Sequence, residues 1–247
     1  MPHIPAAITG AFVALVVSIA VLFVVATARA GRRVGEPPNV TRQFTAIAIA
    51  VIVAVMGVSA LLASMGVLRN FSSVPPPLIR VLLPTTLLTI GLAFSPFGTR
   101  LIRGLPLAAL IGFQVFRVPV ELLLHALNAV GALPEQMTFD GMNPDVLTGF
   151  TAPLIAWIAW RGKLPPIATL VWNVAGLALL LNIVVIAMLS VPGPLQYFHA
   201  APGNRIIAEV PYVWLPTVLV PGALFGHLLV FRSLRQPGDG LRKFGNV

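Results

Sequence analysis

Gln114, Arg117, Glu121, His125 and Asn128 recur every three or four positions in a segment otherwise apolar from Leu105 to Leu133. At about 100° per residue they share an arc of roughly 80° on one helix face. Arg117 precedes Glu121 by one helical step and Glu121 precedes His125 by another, so a continuous Arg, Glu, His chain is geometrically available. Such a stripe can bind or pass protons, or hold the polar head of a ligand. Glu121 and His125 would then carry protonation, with Arg117 setting the charge. The same residues can also serve as polar glue, a buried ion pair that locks one helix into a bundle. Both readings stay open.

Pro119 lies between Arg117 and Glu121. It removes a backbone donor and clashes with the preceding turn, so a kink is expected here, as in helices that line cavities. Beyond the stripe, Pro134 to Val146 reads PEQMTFDGMNPDV, and its Asp140, Asn143 and Asp145 form an expected acidic vestibule above Glu121. Pro192 to Val210 is similarly long. Met137, Phe139, Met142, Tyr197 and Phe198 are expected as interfacial anchors. Asn173 and Asn182 fall on opposite faces of one helix, so only one can meet the stripe, and Asn182 is the better match in depth. His227 reads as a snorkelling or helix-terminal residue.

These residues sit in a chain that is 57% hydrophobic and 9% charged, with a mean hydropathy of +0.94. That composition belongs to a polytopic membrane protein. Apolar stretches able to cross about 30 Å of hydrocarbon run over 4–28, 44–66, 78–97, 105–133, 147–160, 166–190 and 211–231. The fold class expected is an all-α bundle of seven transmembrane helices, with 1–247 a single transmembrane domain. The fifth stretch is the shortest. The first has no preceding Lys or Arg and is longer than a signal core, so it reads as a retained span.

Alternating the loops gathers Arg29, Arg32, Arg33, Arg42, Arg100, Arg103, Arg161, Lys163, Arg232, Arg235, Arg242 and Lys243 on one side, against Arg69, Arg80 and Arg205 opposite. The positive-inside rule then places the N-terminus outside and the C-terminus in the cytoplasm. Acidic residues agree, with Glu135, Asp140, Asp145 and Glu209 outside against Glu36 and Asp239 within. The net charge of +9 is therefore a topology signal rather than a nucleic-acid-binding face.

Several chemistries lack their parts. There is no cysteine, so disulfides, thiolate metal sites and a cysteine nucleophile are excluded. The lysines, Lys163 and Lys243, lie outside the apolar stretches, which excludes a retinal Schiff base. His125 and His227 differ in expected depth, which disfavours bis-histidine haem. The common metalloprotease, serine-hydrolase and P-loop patterns are missing. No cofactor or metal is expected.

The run Phe116-Arg117-Val118-Pro119-Val120-Glu121, with His125, Met137-Thr138, Gly141, Asn143, Asp145 and Thr148-Gly149, resembles an uncharacterised family of bacterial integral membrane proteins. The resemblance covers most of the chain after Val74, including Trp214-Leu215-Pro216 and His227-Leu228. It implies a seven-helix body in a bacterial inner membrane and transfers no catalytic or binding role. The leading expectation is small-molecule or proton-linked transport, or ligand sensing. The alternatives are a structural or assembly protein that meets a membrane partner subunit, and an enzyme acting on a lipid-like substrate.

Overall fold

The computed structural model describes residues 2–235, so Asp239, Arg242 and Lys243 of the charge pattern lie outside the described residues. Those residues form helices and connecting turns, with no strand among them. Two long helices come first, α1 (Ala6–Arg33) and α2 (Pro38–Ser64). A bent pair follows, α3 (Pro77–Phe94) and α4 (Pro96–Gly104). The segment containing the stripe is α5 (Leu107–Gly112) and α6 (Arg117–Ala129), joined by a 3₁₀ turn. The remaining helices are α7 (Val146–Trp160), α8 (Pro166–Leu189) and α9 (Val220–Leu234). Proline opens α2, α3, α4 and α8, where its missing N–H costs no hydrogen bond.

Among the described residues, five helices are long and apolar enough to cross a membrane: α1, α2, Leu107–Ala129, α8 and Leu215–Leu234. The α3–α4 pair, bent by 60°, makes a sixth if counted as one span. The 15-residue α7 is apolar but shorter. Val53, Leu87, Phe150, Ile167 and Val171 are among the large apolar side chains left exposed along these helices, a pattern compatible with a membrane protein.

The stretch between the third and fourth apolar runs, expected as a simple loop, is α4. The Ser95 hydroxyl caps it, accepting from the Phe97 N–H at 3.1 Å. Phe97, Arg100, Leu101 and Gly104 form its buried face. A Cβ on Gly104 would lie 2.4 Å from the Ala30 carbonyl oxygen and 2.5 Å from its Cα. Backbone cannot yield as a side-chain tip can. Gly104→Val is therefore expected to pry α4 from α1 and lower stability by about 1–3 kcal/mol, read as a fall in the thermal midpoint of the purified protein.

The connections gather at two ends of the bundle. At one, Thr9 meets the Tyr212 hydroxyl at 2.8 Å and Gln136 donates to Ser190 at 3.0 Å. Arg69 also donates to Glu209 there at 2.7 Å, and that bond and charge raise the Arg69 pKa. At the other end, Arg100 donates to Glu36 and Arg232 to Thr99, each at 2.7 Å. The two long connections hold short 3₁₀ turns, Glu135–Met137 and Ile206–Ala208. Met137, expected as an interfacial anchor, is instead 1% exposed and packs into the core. Met142 and Tyr197 do face outward.

Candidate functional site

Two proline-adjacent irregularities shape the middle of the bundle. The Pro119 ring collides with the turn before it, and the chain tightens into 3₁₀ geometry over Phe113–Phe116. Where a kink is expected, the structure has this 3₁₀ turn one turn upstream of the proline, within the continuous span Leu107–Ala129. This presents Gln114 to the last span, where its amide donates to the Ala223 carbonyl at 3.0 Å. A Cβ on Gly226 would stand 2.6 Å from that amide nitrogen, so the missing side chain makes room for Gln114. Leu215–Leu219 forms a π-turn two residues ahead of Pro221, which cannot donate to the preceding turn.

Arg117 opens α6 and is 2% exposed. Its Nε donates to Asp145 Oδ2 at 2.7 Å, and Nη2 donates to Oδ1 of the same carboxylate. Nη1 donates to the Gly176 carbonyl at 3.2 Å and lies 3.0 Å from His227 Nε2. Because a guanidinium has no acceptor, His227 Nε2 must accept, and the ring proton sits on Nδ1. Nδ1 lies 2.8 Å from Asn173 Oδ1, and the Asn173 amide donates to the His227 carbonyl at 3.0 Å. Four elements are thereby tied together: α6, the start of α7, α8 and α9. Gly176 makes the approach possible, since a Cβ there would fall 2.7 Å from the His227 ring and 2.9 Å from the Thr148 methyl.

The sequence pairs Arg117 with Glu121, and the structure corrects this. Arg117 spends its donors on Asp145, Gly176 and His227, whereas Glu121 accepts from the Asn143 amide at 2.7 Å. Asn143 also donates to the Met137 carbonyl at 3.1 Å and receives the Asp145 N–H at 3.3 Å. One short polar loop, Asn143 to Asp145, therefore serves both stripe residues. Glu121 is 1% exposed, and that amide is its one hydrogen-bond partner among the described residues.

The expected Arg, Glu, His chain does not form, because Glu121 bonds to Asn143 and His125 turns to Asp140. His125 is half-exposed, stacks on Phe139 with ring centroids 4.8 Å apart, and stands 3.0 Å from Asp140. Asp140 is itself mostly exposed, so the expected acidic vestibule does not form: Asn143 and Asp145 turn into the core and Asp140 stays at the surface. Asn128 donates to the Leu133 carbonyl and finishes its helix. Asn182 donates to the Met142 carbonyl, and Asn173 is the α8 amide that joins the network. His227, read from the sequence as terminal, is 0% exposed at the network's centre. The α8 contribution did carry a sequence signal, because Asn173 and Gly176 lie one helical step apart on a single face.

A cavity of about 670 Å³, mouth included, lies between α3, α6, α8 and the last span. Among the described residues, Arg117, Glu121 and Asp145 are its only polar lining; Leu78, Leu124, Leu180, Ile183 and Leu219 are among its apolar walls. Among the described residues, no cluster of three or more His, Asp or Glu is placed to hold a metal ion.

No curated protein and no solved structure matches the chain. The model of a family described as a domain of unknown function, DUF8737, matches residues 74–235. The match takes in Gln114, Arg117, Glu121, Asn143, Asp145, Asn173 and His227, every residue of the network above, and it covers well over half of the sequence. The chain belongs to the DUF8737 family.

Proposed function

We propose that this chain is a seven-span protein of a bacterial cytoplasmic membrane, N-terminus outside, in which Glu121 binds a proton in exchange with a small-molecule ligand, for transport or sensing. One observation carries the reading. Glu121 is a carboxylate on a cavity wall whose natural counter-ion, Arg117, is already held by Asp145. Two carboxylates against one guanidinium leave a negative charge in excess, and a buried excess charge is relieved by a proton or by a bound cation. Topology is supported by the arginine asymmetry and by the gathering of connections at two ends, with α7 completing the seven spans.

Part of the structural reading survives within this division. The Arg117, Asp145, His227 and Asn173 side chains bond to one another and act as the lock. Glu121 is the working group. Infrared difference spectroscopy on the purified protein in lipid nanodiscs, titrated over pH, is expected to show a protonated-carboxyl band that Glu121→Gln removes. That variant keeps an acceptor for Asn143 and should fold with an unchanged thermal midpoint. An identical band in the variant rejects Glu121 as the proton site.

A further inference from the structure

The walls of the cavity say more about the ligand than its charge alone. Below its single polar end the cavity is aliphatic, with Leu78, Leu82, Leu180, Ile183 and Val184 on the flanking helices. Leu83 and Val185, next in the chain to Leu82 and Val184, are more than half exposed, so the lining continues into the apolar outer surface of α3 and α8. Small-molecule sites typically combine apolar walls with a few convergent polar groups, as this one does. The cavity offers almost nothing to hydrate a polar solute along its length. It does offer a place for a hydrocarbon chain.

We propose that the Glu121 cavity binds a cationic amphiphile: an alkyl chain between α3 and α8, and a positively charged nitrogen head at the Glu121 carboxylate. This rests on the reading of Glu121 given above and names its ligand class. The head is cationic because the polar end carries two carboxylates and only one guanidinium, itself committed to Asp145. Asn143 holds one Glu121 oxygen at 2.7 Å and leaves the other for the ligand. Binding balances simply: a cation docking on the ionised carboxylate displaces the one proton that the empty site holds, so proton and ligand compete for the same oxygen pair.

The test uses decyltrimethylammonium, with decyl sulfate as its chain-matched anionic counterpart, in equilibrium dialysis against the full chain in nanodiscs and against empty nanodiscs. Decyltrimethylammonium is expected to bind saturably above the lipid background. Its affinity should fall about tenfold per pH unit once the carboxyl is mostly protonated. Glu121→Gln should lose at least tenfold in affinity, and Val184→Trp, which fills the chain pocket without touching the carboxylate, should lose binding while keeping the carboxyl band. Equal binding of decyl sulfate, or equal binding by Glu121→Gln, overturns the cationic head. A Glu121-dependent carboxyl band with no saturable binding of either amphiphile overturns this inference and leaves the proton site standing. Absence of the band removes both.

Discussion

Asp145→Ala is expected to be severely damaging, lowering stability by about 3–5 kcal/mol and removing most folded protein from the membrane fraction. The cause is asymmetric. A buried ion pair adds little over a well-packed apolar pair of the same shape, but deleting one partner strands the other without water. Here the stranded group is Arg117, 2% exposed and held on two nitrogens by the Asp145 carboxylate. The neighbouring carboxylate, Glu121, accepts from Asn143 rather than from Arg117. Folded yield by fluorescence-detected size exclusion, with the midpoint in a denaturing-detergent titration, measures the effect. The double variant Arg117→Met, Asp145→Leu supplies the control: with both charges gone, much of the loss should be recovered. A single variant as stable as the parent would show that the pair is not the lock.

The apolar helices were legible because membrane solvation writes itself into long runs of one residue class, and five of the expected spans pass by length and hydropathy alone. α4 was not legible as a helix. It is nine residues long, it contains Arg100 and Arg103, and its one clear signal is the Ser95-Pro96 start. Within the site, periodicity brought out Gln114, Arg117 and Glu121, which are indeed buried together. It erred on their partners. Helical spacing reports only neighbours on the same helix, whereas the Arg117 carboxylate comes from Asp145, across a turn and at the start of another element. Chain position also misplaced His227. The last helix runs on to Leu234, so the ring lies well inside the span rather than at its edge. Depth relative to the stripe favours Asn182, whereas it is Asn173 that joins the network, because its partner is this histidine on the last helix.

His227→Phe separates the lock from the working carboxylate. The phenyl ring is planar like the imidazole, if somewhat larger, but can neither accept from Arg117 nor bond to Asn173, which removes the contacts at 3.0 and 2.8 Å. Two buried polar groups then lose a partner, at about 1–3 kcal/mol each. The Gly176 carbonyl and Asp145 still hold the guanidinium, so the loss should fall short of that caused by Asp145→Ala. Nitrogen NMR on histidine-labelled protein should first show the Nδ1–H tautomer for His227, as its two neighbours require. In the Phe variant the thermal midpoint should drop while the Glu121 carboxyl band persists, because Glu121 is held by Asn143 and not by this ring. Loss of the band with His227→Phe would instead mean that lock and working group form one coupled unit. The histidine would then belong to the proton path, and the charge excess at Glu121 would be shared across the network rather than resting on a single carboxylate.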